Sequence, residues 1–325
     1  MVKAIRVHEH GGPDAMKWEE VELGAPGPGE ARVKHAAIGI NFVDVYNRIG
    51  LYKPPGGLPF TPGSEGAGTV IAVGPGVTNV KPGDRVAYAG PQGSYAEERL
   101  IPADRLIKVP DGVDFKTAAA MTLKGLTAQF LLRQTFKVGK GTTILFHAAA
   151  GGVGSIACQW ANHLGASVIG TVGSDEKAKL AKAHGCHHVI NYRTENFVER
   201  VAEITKGAKC DVVYDSVARD TFPGSLDCLR PRGLWVLFGQ SSGKIENFDL
   251  NILSQKGSLY VTRPTLFSYA AEREALEAMA AELMDVVAKG MVKIEVNQEF
   301  PLAKAADAHR ALEGRQTTGA TVLVP

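Results

Sequence analysis

The sequence predicts an α/β protein of two domains, a compact β-rich domain and a doubly wound parallel sheet. Three observations predict it: a length of 325 residues, a change of texture after Pro110, and a glycine-rich turn at residues 148–154. A chain of this length exceeds what one compact core normally serves, so two domains are the natural division.

Up to Pro110 the chain consists of short β-like runs at residues 31–38, 68–73, 85–88 and 106–109. Turn signals separate them, among them Gly56-Gly57, Gly74-Pro75-Gly76 and Lys81-Pro82-Gly83-Asp84. That pattern predicts a compact, irregular β domain. Runs rich in β-formers then recur at 142–146, 167–172, 188–191, 211–215 and 234–238, with helical stretches such as 176–184 and 195–205 between them. Strands alternating with helices predict right-handed βαβ units and a parallel sheet. Beyond Arg263-Pro264 a long helix is predicted over 269–289, a short one over 304–312, and a closing strand over 320–324 that returns to the β domain.

Composition narrows the function. Lys and Arg total 36 against 34 Asp and Glu, which leaves no single-sign field to attract nucleic acid or an acidic membrane surface. The N-terminal residues 1–10 mix charges into their apolar positions, so no secretory h-region is predicted and a cytoplasmic location is expected. The most apolar stretch, 143–161, is interrupted by His147 and by glycines and reads as strand, turn and buried helix, not as a membrane span. Cys158, Cys186, Cys210 and Cys228 are widely spaced without a CxxC pair, as buried thiols would be.

The turn carries the chemistry. The predicted strand 142–146 leads into His147-Ala148-Ala149-Ala150-Gly151-Gly152-Val153-Gly154 and then into an apolar helix. Ala149, Gly151 and Gly154 occupy the three small positions of the dinucleotide fingerprint: one permits the tight turn, one admits the pyrophosphate, one lets helix pack on strand. The amides of Gly152 and Val153 then face an anion at the positive end of the helix. The next strand ends at Val172, where NAD-preferring proteins present a carboxylate to the ribose. Gly173, Ser174 and Lys177 follow and suit a 2′-phosphate, although Asp175 and Glu176 lie close by; NADP is the expected cofactor.

Over nearly its whole length the chain resembles the zeta-crystallin-like quinone oxidoreductases, a zinc-free branch of the medium-chain dehydrogenase/reductase superfamily. The resemblance rests on Ala37-Ile-Gly-Ile-Asn41-Phe-Val-Asp-Val-Tyr46, Gly63-Ser-Glu65-Gly-Ala-Gly68, Val80-Lys-Pro-Gly-Asp-Arg-Val86, Lys124-Gly-Leu-Thr127, the glycine-rich turn, and Tyr260-Val-Thr-Arg-Pro-Thr265. It implies a GroES-like catalytic domain (1–123 and 267–325) around a Rossmann cofactor domain (124–266), and a homodimer joined near Ser258 and Thr262. Zinc-dependent relatives carry a ligating cysteine where this chain has Asn41 and a histidine where it has Ser64, so no metal is expected.

The resemblance implies NADPH:quinone reduction, by one-electron steps in some members. It places Asn41, Tyr46, Tyr52 and Thr127 around the reaction, with Asn41 and Thr127 hydrogen-bonding ribose or amide groups and the tyrosines stacking on the acceptor or donating a proton. It also assigns cofactor contacts to Phe130, Tyr192, Ser216, Phe238, Gly239, Ser241, Pro264, Thr265, Leu266 and Arg315. Phe130 stands where close relatives carry tyrosine, and Asn162 where a basic residue is usual. Two alternatives remain at this level: reduction of activated alkenes such as enones, and a structural or RNA-binding role of the crystallin type. The balanced charge and the lack of an RRM or KH signature lend the latter no support.

Overall fold

The computed structural model describes residues 1–325. In chain order, strands β1 (Val2–Val7), β2 (Met16–Val21) and β3 (Glu30–Gly39) precede helix α1 (Phe42–Arg48). Strands β4 (Glu65–Val73), β5 (Arg85–Ala89), β6 (Glu98–Pro102) and β7 (Ile107–Lys108) lead to α2 (Phe115–Phe130). Then β8 (Thr143–Phe146), α3 (Gly152–His163), β9 (Ser167–Val172), α4 (Asp175–Ala183), β10 (His188–Asn191), α5 (Phe197–Ile204) and β11 (Cys210–Asp215) alternate. The chain closes with α6 (Gly224–Asp227), β12 (Leu229–Leu237), α7 (Asn251–Gln255), β13 (Tyr260–Thr262), α8 (Leu266–Tyr269), α9 (Arg273–Ala288), β14 (Val296–Pro301), α10 (Ala305–Glu313) and β15 (Ala320–Val324).

Two compact units result. The first comprises Met1–Lys124, Glu272–Ala280 and Ile294–Pro325, the second Gly125–Ala271 and Ala281–Lys293. The first holds a seven-stranded sheet in the order β14-β15-β3-β4-β5-β7, with β6 also pairing β3, beside the hairpin β1-β2. Strand β3 shows why: Ala31, Val33, His35 and Ala37 alternate as buried positions, the period-2 pattern of a strand packed on one face. Val33, Val70, Val86, Tyr88, Ile101 and Leu106 form one of its cores, and Ile5, Ile38, Phe60, Tyr95, Leu302 and Leu323 another. β15 pairs antiparallel with β3, so the C-terminal strand does return to the β domain.

The second unit is a six-stranded, wholly parallel sheet in the order β10-β9-β8-β11-β12-β13. From β8 the chain steps outward to β10 and then crosses back to β11, which makes the ends of β8 and β11 the point where strand order reverses. Doubly wound sheets bind their ligands there.

Several elements differ from the sequence expectation. The predicted helix over 269–289 is α9, which begins only at Arg273, after a separate short α8 that ends at Tyr269. Arg273 at the start of α9 donates to the carbonyls of Asp104 and Leu106, at 2.7 and 2.6 Å, and these ties to a β-domain loop set where the second helix begins. Strands β1, β2, β6 and β14, and helix α2, carry too mixed a pattern to be read locally. β14 alternates half-buried and exposed positions, with no fully buried face.

Candidate cofactor and reaction site

The second unit gathers most of the residues predicted from the sequence at one edge of the sheet, one group per strand. Ala149 to Val153 follow β8, Gly173 and Ser174 follow β9, and Tyr192 follows β10. Ser216 follows β11, Phe238, Gly239 and Ser241 follow β12, and Pro264 to Leu266 follow β13. These are the carboxyl ends of parallel strands, the edge at which such sheets take their ligands.

The turn after β8 is built as its glycines require. Ala149 is fully enclosed and its amide donates to the Thr171 carbonyl at 3.0 Å, so the turn is tied to β9. Gly151 caps α3, and Gly152 and Val153 are in its first turn, where amides precede any intrahelical acceptor. A Cβ at Gly154 would fall 2.4 Å from the Ala148 carbonyl oxygen and 2.8 Å from Ala149 Cα. Helix and turn therefore touch through bare backbone.

Beneath the turn lies a buried polar network. His147, at the end of β8, faces Thr171 Oγ1 at 2.9 Å through Nδ1 and Ser225 Oγ at 3.0 Å through Nε2. Ser225 and Thr221 donate to Asp215 Oδ2 at 2.8 and 2.7 Å, and Trp235 Nε1 reaches the same oxygen at 3.2 Å. Burial lowers the pKa of His147 against the opposing pull of Asp215. Burial would raise Asp215, but His147 and the donors from Ala218, Thr221 and Ser225 outweigh it and hold the carboxyl below its ordinary value. The network fixes the ends of β8, β9 and β11 together. The ends of β11 and β12 meet as closely: the Ser241 amide donates to the Ser216 carbonyl at 3.0 Å, and a Cβ on Gly239 would lie 2.8 Å from that oxygen.

β9 itself ends at Val172 without a carboxylate, while Asp175 and Glu176 open α4 and Glu176 hydrogen-bonds the Ser174 side chain. Ser174 caps α4, its hydroxyl accepting from the Lys177 amide at 3.3 Å, so Ser174 and Lys177 share one helical turn. The Asp175 carboxylate is engaged by Asn191 Nδ2 at 2.9 Å. Tyr192 closes over Gly173 so tightly that a Cβ there would lie 2.5 Å from its hydroxyl. Thr127 and Phe130 lie on α2; Phe130 is enclosed and stacks on Tyr269, ring centroids 4.5 Å apart.

The first unit carries Asn41, Tyr46, Tyr52 and Arg315. Asn41 is the N-cap of α1 in a capping-box arrangement with Asp44, and its backbone amide donates to Asp44 Oδ2 at 2.9 Å. Tyr46, one turn along, meets Tyr52 edge-on at 5.3 Å between centroids. Arg315 follows α10 with a positive φ of 58°. The two positions that carry metal ligands in zinc-dependent relatives hold an amide and a hydroxyl, both buried.

Around Asn41 stand residues for which the sequence suggested no role. Glu65, fully buried, accepts from Asn41 Nδ2 at 2.8 Å, Lys124 Nζ at 2.7 Å and the Leu123 amide at 2.7 Å. Asp44 Oδ2 also accepts from Tyr95, whose hydroxyl meets His309 Nε2 at 2.9 Å; Arg48 donates to His309 Nδ1 at 2.8 Å. Burial pushes Asp44 up to about 7 and, with Arg48 beside it, His309 down to about 3.

Comparison with known proteins follows the same division. The alcohol dehydrogenase GroES-like domain family matches residues 27–111, and the zinc-binding dehydrogenase family residues 152–283, a stretch that excludes Asn41 and Ser64. The chain is 56% identical over 326 residues to the quinone oxidoreductase of Pseudomonas aeruginosa, with 100% of both chains covered. It is 48% identical to the 2-haloacrylate reductase of a Burkholderia species over 100% of this chain and 99% of that one. The crystal structure of Escherichia coli quinone oxidoreductase complexed with NADPH superposes with a TM-score of 0.98 at 50% identity, covering 99% of this chain and 100% of that chain.

Proposed function

The chain belongs to the quinone oxidoreductase family of the medium-chain dehydrogenase/reductase superfamily, and from that membership we propose that it reduces quinones with NADPH and without a metal ion. The observation that carries the cofactor assignment is the phosphate cradle at the strand ends: a turn of bare backbone after β8, and Ser174 with Lys177 after a β9 that ends in Val172.

When bound, NADPH supplies a hydride from its nicotinamide ring. The protein's own part is to hold and orient. The amides of Gly152 and Val153 take the pyrophosphate at the positive end of α3. Lys177, Ser174 and Tyr192 take the 2′-phosphate, and Gly173 leaves room for the Tyr192 hydroxyl. Ser216, Phe238, Gly239 and Ser241 line the middle of the dinucleotide; Pro264, Thr265 and Leu266 take the carboxamide end, with Phe130 and Arg315 as outlying contacts. Asn41 and Thr127 hydrogen-bond ribose or amide groups, while the rings of Tyr46 and Tyr52 give a flat acceptor a surface to stack on.

A quinone gains aromaticity on reduction, so it needs neither a Lewis acid nor a strong general acid. An Asn amide and a Ser hydroxyl in place of thiolate and imidazole match that requirement. Residues 1–123 and 267–325 form the acceptor domain in this reading, and 124–266 the cofactor domain. No helix is long and apolar enough to cross a membrane, and four buried free thiols suit a reducing cytoplasm. β13, an edge strand with Tyr260 62% exposed, suits pairing with a second copy into a homodimer.

Hydroquinone formation from NADPH and a benzoquinone, followed with and without a metal chelator, tests the proposal. Turnover unchanged by the chelator is expected. Turnover abolished by it, and restored by zinc, would overturn the metal-free reading.

A further inference from the structure

We propose that Glu65 and Lys124 are positioning residues for the reaction, holding the Asn41 side chain in a single orientation in which it acts as a hydrogen-bond donor. The inference rests on the reading of Asn41 as part of the reaction site.

Glu65 opens β4 opposite Gly39, the last residue of β3. Glycine is required there, because a Cβ would lie 2.2 Å from Glu65 Oε2 and 2.3 Å from the Ala119 carbonyl oxygen. The carboxylate is thus seated against backbone and completely enclosed. Its Oε1 accepts from the Leu123 amide; its Oε2 accepts from both Lys124 Nζ and Asn41 Nδ2, so ammonium and amide are neighbours on one oxygen.

Two contacts decide which way Asn41 points: its side chain accepts from the Asp44 backbone amide in the capping box, and its Nδ2 donates to Glu65. An ionised carboxylate can only accept, so the nitrogen end of the amide must face it. One N–H is used and the second is left for an acceptor oxygen of a ligand, either a carbonyl of the electron acceptor or a ribose hydroxyl of the cofactor. Lys124 enters because its buried ammonium sits on the same Oε2 at 2.7 Å and supplies the opposite charge that an enclosed carboxylate requires. Without it the carboxylate loses the partner that seats it, and the amide loses its fixed acceptor. Lys124 thereby holds Asn41 in place through Glu65, without touching the ligand.

The test is a double-mutant cycle on the full-length protein with Asn41→Ala, Lys124→Met and the combination, reading kcat, the KM for a benzoquinone, the NADPH Kd and the thermal midpoint. Asn41→Ala is expected to lower kcat/KM about tenfold, the worth of one hydrogen bond to a ligand. Lys124→Met should do nearly the same, and the combination should be no worse than Asn41→Ala alone. A rise confined to the NADPH Kd identifies the ribose oxygen as the partner, and a change confined to kcat or the quinone KM identifies the carbonyl.

Additive losses would overturn the proposal, because Lys124 would then act independently of Asn41. No effect of Asn41→Ala would instead reject the reading of Asn41 on which it stands. Should Lys124→Met alone fail to fold, Glu65→Met/Lys124→Met leaves no buried charge and enters the same cycle with the same expectations.

Discussion

Gly154→Ala is the substitution whose outcome the geometry constrains most. The added Cβ would lie 2.4 Å from the Ala148 carbonyl oxygen and 2.8 Å from both Cα and the carbonyl oxygen of Ala149. Non-bonded heavy atoms settle near 3.5 Å, so the turn and α3 must separate by about 1 Å. All three obstacles are backbone, and none can rotate away. Overpacking of this kind costs about 1–3 kcal/mol, offset by up to about 1 kcal/mol because alanine favours a helix more than glycine does. The larger consequence falls on the ligand, since the amides proposed to receive the pyrophosphate belong to the displaced segment. Losing one charge-assisted hydrogen bond, about 1.5–3 kcal/mol, raises the NADPH Kd about tenfold or more. NADPH fluorescence titration and thermal unfolding measure the two effects, and Gly139→Ala, where a Cβ meets nothing within 4 Å, is the control. A lowered midpoint with an unchanged Kd would refute the assignment of this turn to the phosphates. No change in either would refute the packing argument as well.

Other outcomes follow from the same geometry. Lys177→Ala should raise the Kd for NADPH about tenfold and leave that for NADH nearly unchanged; equal weakening of both would reject the 2′-phosphate role. Asp44, raised by burial to about 7 from an ordinary 3.8, binds its proton more tightly when folded, so the stability it contributes is complete below pH 3.8 and is lost as pH rises through 7. Asp44→Asn should therefore gain stability relative to the parent between pH 4 and 8, by up to about 4 kcal/mol, and parallel urea midpoints across that window would contradict the burial argument. His309, lowered from 6.5 to about 3, works in the opposite direction in the parent and cancels in this comparison. Tyr260→Asp on β13 should turn a dimeric mass into a monomeric one by light scattering; a parent that is already monomeric would contradict the edge-pairing proposal.

What could be read from the sequence and what could not divide along physical lines. The parallel sheet was legible because its strands are short runs of β-formers separated by helical segments: 167–172 and 188–191 match β9 and β10 residue for residue. The turn was legible because each of its small residues answers a local steric demand. The hairpin β1-β2 was not, since Lys17, Trp18, Glu19 and Glu20 take their place from cross-strand pairing and not from a pattern of their own. Helix α2 escaped notice because its alanines, threonines and glycine fit a helix buried on most sides and show little periodicity.

The site divides in the same way. Asn41 and Lys177 could be named from motifs, but Glu65 and Lys124 lie 59 positions apart and share an oxygen only because β4 and α2 bring them together. The network of His147, Ser225 and Asp215 is equally non-local, joining the ends of the neighbouring strands β8 and β11 through a side chain of α6. Long-range polar pairing leaves no local trace in a single sequence, whereas steric demands on small residues do.

The central claim is that this cradle delivers hydride from NADPH to a quinone. Its most direct test compares kcat/KM for a benzoquinone and for an enone under identical NADPH concentrations. The account requires the benzoquinone to be the better acceptor; preferential turnover of the enone, or no oxidation of NADPH by the quinone, would contradict it.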